Sequence, residues 1–276
     1  MKLELINLEK QTANGQSTSR TKATPNSLDR CASCRKIDLI FMFKYYLIVI
    51  LVIGFGCSIK ESDTITIINI GHANRIGIAN QLRIINQSSP RVIGLDILLV
   101  KDSLDIDVSL SNEIKRCKSL VVGFNLQNEF LNHMWDSLEM NHPKFNHWVG
   151  GYHNLSTTDD DVLIKELPLR QYYKDSIVCA FSYTVAYLYD LSKVNSEYKK
   201  GFYYQSFSDK IFSRKFKVIN ANELLSNNFN KNDLKDKIVL MGYIGKDEDY
   251  YYLDKDKSIG INGVEVHASI IEQLLK

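Results

Sequence analysis

The chain reads as an α/β fold: a largely parallel central sheet with helices on both faces and an antiparallel edge region, built as a single domain. Three observations predict it. Residues 64–70 (TITIINI), 91–99 (RVIGLDILL), 120–124 (LVVGF) and 237–242 (KIVLMG) are short, almost wholly apolar and rich in β-branched residues. Strands covered on both faces read this way. Stretches of helical spacing separate the first three runs, and a strand–helix–strand–helix–strand order joins its strands in parallel through right-handed crossovers. The 217 residues from Lys60 to Lys276 are enough for one sizeable domain with a buried core.

Each element follows from its residues. Gly71 breaks the first run, and Ile76, Ala79, Leu82 and Ile85 then recur at helical spacing until Ser88, Ser89 and Pro90 end the pattern. Residues 106–117 form a weaker amphipathic helix. Residues 128–148 mix aromatics, histidines and polar residues without a period and read as a long loop or short helix over an edge. Residues 149–155 (VGGYHNL) and 162–173 (VLIKELPLRQYY) read as an antiparallel pair around a turn at Asp159, Asp160 and Asp161. Pro168 cannot donate to a ladder, which puts the second of these at an edge or a bulge. Residues 180–191 carry the apolar face of a helix, and residues 202–207 and 216–219 are short strands. Asn220 with Glu223 three residues on is a capping box that opens a brief helix. After the strand at 237–242 comes a polar, tyrosine-rich loop with Asp247, Glu248 and Asp249 ahead of Tyr250, Tyr251 and Tyr252. It reads as a lid, a partner surface or a solvated loop. Gly260 to Gly263 then turns the chain into a last helix over 264–275.

Residues 45–59 (YYLIVILVIGFGCSI) are uncharged and mostly apolar. A spanning helix takes about 20 apolar residues and the core of an export signal about 7 to 15. Two readings of residues 39–59 therefore stand. In the first they are a retained membrane anchor, with Lys44 reaching back to the head groups. In the second, from Met42, they resemble a bacterial lipoprotein signal, in which a small residue precedes a cysteine that becomes acylated. Gly56 before Cys57 fits that pattern, whereas Gly54 stands where an aliphatic residue is usual. Residues 1–38 are polar, basic and without apolar period, and read as a disordered tail.

Residues 1–57 carry eight lysines and arginines against four acids, which keeps the amino end cytoplasmic and sends residues 60–276 into the cell envelope, periplasmic and facing outward. The exported part is left with a formal charge of −2 and no basic footprint for nucleic acid. The five cysteines make no disulfide framework. Cys31 and Cys34 form a lone CxxC without the second pair of a zinc site. Cys117 and Cys179 lie in apolar surroundings and read as core thiols rather than a bridge.

Taken in order, IINIGHANRIG, PRVIGLDILLV, a GYHNL…DDDVLIKELP hairpin, DKIVLMGYIG and GINGVEVHASIIEQLL resemble the CHASE type-2 (CHASE2) domain, the cyclase and histidine-kinase associated extracellular sensory domain of bacteria. The resemblance runs from about residue 64 to 275. Its most specific parts are Gly242 closing a buried strand and GVEVHA, residues 263–268, opening the last helix. The NIGH wording at 69–72 is similar to versions in Bacteroidetes-type proteins that lack an obvious output domain. The resemblance implies an extracytoplasmic α/β domain that receives a small signal. The chain departs from the family at the turn before the edge strand, where Gly and paired arginines are usual and Val162, Lys165 and Glu166 stand, although Asp159, Asp161 and Pro168 match.

In open parallel sheets ligands settle at the carboxyl ends of the strands, which makes Asn69, His72, Asp96, Asn125 and Tyr243 candidate ligand-binding residues. Glu265 and His267, in the first turn of the last helix, join them. A histidine there titrates near pH 6.5, binds a signal or pins a loop. His72, His153, His267 and Asp96 show no HxxxH or HxH spacing, so no metal and no other cofactor is expected. No GxSxG, SxxK, phosphate loop or catalytic dyad is present. The expected function is a non-catalytic sensory module that binds an unknown small signal, with the membrane as its support. The alternative is an anchored scaffold with a degenerate pocket that engages an envelope protein partner.

Overall fold

Strand β1 (Glu61–Asn69) has an apolar layer on each side to enter: Ile65 and Ile67 face one, Ile68 the other, and all three are fully buried. A turn at Gly71, whose φ is +57°, leads to α1 (Arg75–Gln87), capped by Asn74, which accepts the Gly77 N–H at 2.9 Å. There follow β2 (Val92–Leu95), α2 (Ile106–Arg116), β3 (Leu120–Leu131), β4 (Met134–Glu139), β5 (Val149–Tyr152), β6 (Ser156–Thr157), β7 (Ile164–Pro168), β8 (Arg170–Tyr173), β9 (Ser176–Cys179) and α3 (Phe181–Asp190). The carboxyl-terminal part adds β10 (Tyr204–Ser206), β11 (Lys215–Asn220), α4 (Ala221–Leu225), β12 (Ile238–Gly242), β13 (Tyr250–Tyr252), β14 (Gly260–Asn262) and α5 (Gly263–Leu274). This computed structural model describes residues 61–101, 106–131, 134–145, 149–157, 164–194, 204–206, 215–246, 249–253 and 258–276. The tail at 1–38 and the segment 39–59 with Cys57 lie outside the described residues, as does the Asp159 to Val162 turn. No helix among the described residues is long and apolar enough to cross a membrane.

The main sheet runs β11–β1–β12–β2–β3–β4–β8–β9, with β5 also on β3. From β11 to β3, and from β3 to β5, every pair is parallel. The sheet is therefore largely parallel, as its apolar runs predict. Helices α1, α2 and α4 cover one face, around Leu82, Ile85, Leu110, Ile114 and Leu224, and helices α3 and α5 cover the other, around Phe181, Val185, Val266 and Ile270. In β12 the residues Ile238, Val239, Leu240 and Met241 are all fully buried and point alternately into the two layers. Each such side chain contributes about 1.5–3 kcal/mol relative to exposure. Helix α3 can lie directly on β5 because Gly151 has no side chain: a Cβ there would sit 2.5 Å from the Phe181 Cα.

Four details differ from the sequence expectation. β12 lies between β1 and β2, so these two strands of the first crossover do not pair with each other. Within 128–148, residues 128–131 and 134–139 are strand, with a short helical turn at Pro143–Phe145: β3 runs on to Leu131, changes partner at Asn125 and pairs antiparallel with β4, with Asn128 at φ +55° disturbing the alternation. β5 joins the main sheet in parallel beside β3, and the antiparallel hairpin is formed by β6 and β7 instead. Pro168 closes a strand that has neighbours on both sides, β6 and β10, and the register of that strand with β6 shifts between Ile164 and Glu166, so of the two expectations the irregular pairing holds and the edge does not. The edge region also contains one parallel pair, β4 with β8, before the antiparallel β8–β9 hairpin.

Candidate functional site

The carboxyl ends of β1, β2, β3, β5 and β12 open on one side of the sheet and enclose a cavity of about 920 Å3. Its lining includes His72, Asp96, Asn125, Tyr243 and His267, and also His153, Asp249 and Tyr251. β2 stops at Leu95, four residues earlier than its apolar run suggests, which leaves Asp96 as the first residue beyond the strand. Its backbone N–H still donates to the Met241 carbonyl at 2.8 Å, so the residue is fixed against β12. His153 stands one residue past β5 and is fixed to β3 by its N–H to the Phe124 carbonyl at 3.1 Å. The imidazole of His153 lies over β3 where Gly123 leaves room, since a Cβ there would come within 2.5 Å of Nδ1.

Two histidines converge on Asp96. Nδ1 of His153 lies 3.0 Å from Asp96 Oδ1, with the two side chains 16% and 7% exposed, and Nε2 of His267 lies 3.9 Å from the same oxygen. The other nitrogen of His267, Nδ1, is 2.8 Å from Ser182 Oγ on α3, and Phe181 packs its ring edge at 5.1 Å. His267 thus ties α5 and α3 to the rim and also engages the His153 backbone. Burial alone would push the Asp96 carboxyl up, but the facing imidazole of His267, then the hydrogen bond and charge of His153, favour the ionised form and hold the group below the usual range. For His153 burial acts downward and is outweighed by the Asp96 hydrogen bond and by Asp96, Asp249 and Glu139, so the ring titrates above its ordinary value. His267 goes the other way, since burial dominates and keeps it neutral. Asp96 and His153 thus favour each other's charged forms, beside a His267 whose charged form is disfavoured.

Asp249, just ahead of β13, is exposed as a residue, but its carboxyl turns into the crowded mouth of the cavity against Gly263. Crowding out of water, followed by the Asp96 charge, raises it to about 6, against partial relief from Tyr251 and His153. The same crowding and the Asp249 charge push the Tyr251 hydroxyl up. The tyrosine-rich segment is therefore a hairpin, β13 with β14, that brings Asp249 and Tyr251 to the cavity. Across the mouth, the His72 and Tyr243 rings meet at a tilt of 45° with centroids 5.1 Å apart and Tyr243 Oη 3.4 Å from His72 Nε2, and Asn125 Nδ2 donates to Glu139 at 3.0 Å.

Two of the expected residues serve the walls. Asn69 lines a neighbouring depression of about 770 Å3, where its Oδ1 accepts the N–H groups of Gly71 and Ile244, both at 3.1 Å. Glu265 completes the capping box of α5, accepting from the Asn262 N–H at 3.1 Å and the Asn262 side chain at 2.9 Å. The ligand contacts expected from the sequence did not include His153, weighed there only as a metal ligand, or Asp249 and Tyr251, read there only as part of a lid, a partner surface or a solvated loop. The rim argument reaches His153 once β5 is read as a parallel strand, whereas Asp249, at φ +49° in a loop, gives no periodic signal. Among the described residues no three or more His, Cys, Asp or Glu side chains are arranged to hold a metal ion. Cys117 and Cys179 are free and half-buried, with the Cys117 thiol pushed up to about 12 by burial and then by Glu113.

The site combines the Asp96–His153 pair, a carboxyl that gains its proton near pH 6, and amide, imidazole and phenol groups in a concave space. Such a set offers hydrogen bonds and charge to a small polar molecule. Comparison with family models matches residues 58–276 to the CHASE2 domain. Comparison with curated proteins and with solved structures gave no match.

Proposed function

Because this chain belongs to the CHASE2 domain family, a family of extracellular sensory domains, we propose that residues 60–276 receive a signal by binding a small polar molecule in the rim cavity without converting it. The observation that carries this reading is the cavity's make-up. Its volume of about 920 Å3 lies within the range of roughly 300–1,000 Å3 typical of small-molecule sites, and a few polar groups converge in it. His72, Asp96, Asn125, Tyr243 and His267 are the ligand contacts in this proposal, joined by His153, Asp249 and Tyr251. Asn69 and Glu265 hold the surrounding loops. Residues 39–59 keep the module in the envelope, as a retained helix or through an acylated Cys57, and intact mass of the extracted protein distinguishes these two.

The test is a thermal-shift screen of small polar metabolites on the purified full chain, followed by calorimetry on each hit. A ligand that raises the melting temperature, loses affinity in Asn125→Ala and His72→Ala, and is recovered unchanged is the expected result. A folded protein that binds nothing across the screen overturns the sensory reading, and conversion of the ligand overturns the non-catalytic one.

A further inference from the structure

A second cavity, of about 580 Å3, opens between β4, β5, β8, β9 and α3 and shares no lining residue with the rim cavity. Its walls are apolar. Four of them, Met140, Val149, Ile177 and Tyr187, keep 41%, 48%, 53% and 44% of their surface exposed. Single exposed apolar side chains need no explanation, but a group of them around one concavity marks a binding surface.

Arg170, on β8, is the only charged residue that lines this groove. Its Nη2 donates to Tyr183 Oη at 2.7 Å, and its guanidinium carbon lies 5.0 Å from the centre of the Tyr183 ring. Nε is fully buried and without a hydrogen-bond partner among the described residues. No described carboxylate pairs with the guanidinium either. A charge withdrawn from water with no counter-charge is costly, and a planar fork with a spare N–H matches a carboxylate.

We propose that this groove is a binding site for an amphipathic monocarboxylate. Arg170 receives the carboxylate, and the apolar tail lies along Val149, Ile177 and Tyr187. The carboxylate supplies the counter-charge that Arg170 lacks among the described residues, and the tail covers the exposed apolar rim. The site is independent of the rim cavity and of the signal proposed there.

Dodecanoate below its micelle-forming concentration is the probe, with dodecanol and dodecyltrimethylammonium as length-matched controls, titrated calorimetrically against the purified full chain. Dodecanoate is expected to bind about tenfold or more tighter than either control, and Arg170→Met to weaken it by a similar factor. Arg170→Lys, which keeps the charge and loses the fork, falls between them. An independent readout is maleimide labelling followed by mass spectrometry. Cys179 lines the groove and hydrogen-bonds Arg170, whereas Cys117 lies elsewhere. Dodecanoate should slow labelling of Cys179 alone, in the wild type and not in Arg170→Met. Equal affinity for dodecanoate and dodecanol in the wild type overturns the proposal, as does unchanged binding by Arg170→Met. So does a dimer in sedimentation that shields Cys179 and that dodecanoate does not disperse.

Discussion

Asp96 and Arg170 are both charges drawn into the same sheet, and their surroundings are opposite. Asp96, 7% exposed at the end of β2, is met by two histidines of the chain itself, one of them at 3.0 Å. Arg170 on β8 has a tyrosine hydroxyl and a tyrosine ring but no described carboxylate. In the parallel half of the sheet and the helices that cover it, the withdrawn carboxylates are met from within the chain: Asp96 by the two histidines, Asp107 by Arg75 and Glu113 by Arg116. The edge region opens on a groove. There an unmatched charge persists, which is the condition for recruiting its partner from outside.

The largest expected effect comes from removing each charge in turn. Asp96→Ala leaves His153 and His267 facing each other without their shared acceptor, and breaking a buried pair from one side costs about 3–5 kcal/mol. His153 keeps some solvent contact at 16%, which puts this variant near 3 kcal/mol on the same scale. Arg170→Met replaces an unpaired guanidinium with an apolar chain of similar length, so stability should stay within about 1 kcal/mol or rise. Urea midpoints of the two variants, at constant slope, make the measurement. Equal destabilisation by both would mean that Arg170 is matched within the chain, and the contrast would fail.

A smaller effect separates the titrating groups of the rim by sign. His267 is held below its ordinary pKa in the folded state, so as pH falls below 6.5 the unfolded chain takes up a proton that the folded chain does not. Its contribution is therefore lost on acidification. Asp249, raised to about 6 from 3.8, behaves oppositely: between these values the folded state holds the extra proton, and stability is lost as pH rises through 6. The groups facing His267 are Asp96, His153 and Ser182, and only the first two carry charge. His267→Gln should gain stability relative to wild type between pH 7.5 and pH 5, and Asp249→Asn should lose it. Parallel curves for all three proteins would contradict the assignment of a neutral His267.

How much of this was legible in the sequence follows the same division. In the parallel half β1, β2, β3 and β12 are continuous apolar runs, because both faces are covered and every residue obeys one rule. Their type is readable one strand at a time. The place of β12 between β1 and β2 is not, since strand order is a long-range property that leaves no mark on local period. In the edge region the strands are short, change partners within themselves as β3 does at Asn125, and face solvent unevenly, so residues 128–148 gave no period to read. The misread direction of β5 also kept His153 off the rim, since the rim rule applies only to strands known to be parallel. His72, Asp96 and Tyr243 follow strands readable as parallel, Asn125 lies in β3 where it leaves its parallel partners, and all four line the cavity.

The smallest expected effect tests the division of labour at the start of α5. The motif Asn262–Gly263–Val264–Glu265 has the spacing of the capping box recognised at Asn220 and Glu223, and the structure forms both boxes. The Glu265 carboxylate accepts from the backbone and side chain of Asn262, whose Oδ1 in turn accepts the Gly245 N–H at 2.9 Å, so the box also holds the loop after β12. Glu265→Ala should therefore cost about 1 kcal/mol and leave the affinity for any rim-cavity ligand unchanged within a factor of about two, a difference well under the 1.4 kcal/mol of a tenfold change. Glu265→Gln, which keeps an acceptor oxygen at the same position, should recover most of the loss. If Glu265→Ala abolishes ligand binding while the urea midpoint stays put, Glu265 belongs among the ligand contacts and the wall assigned to it must be redrawn.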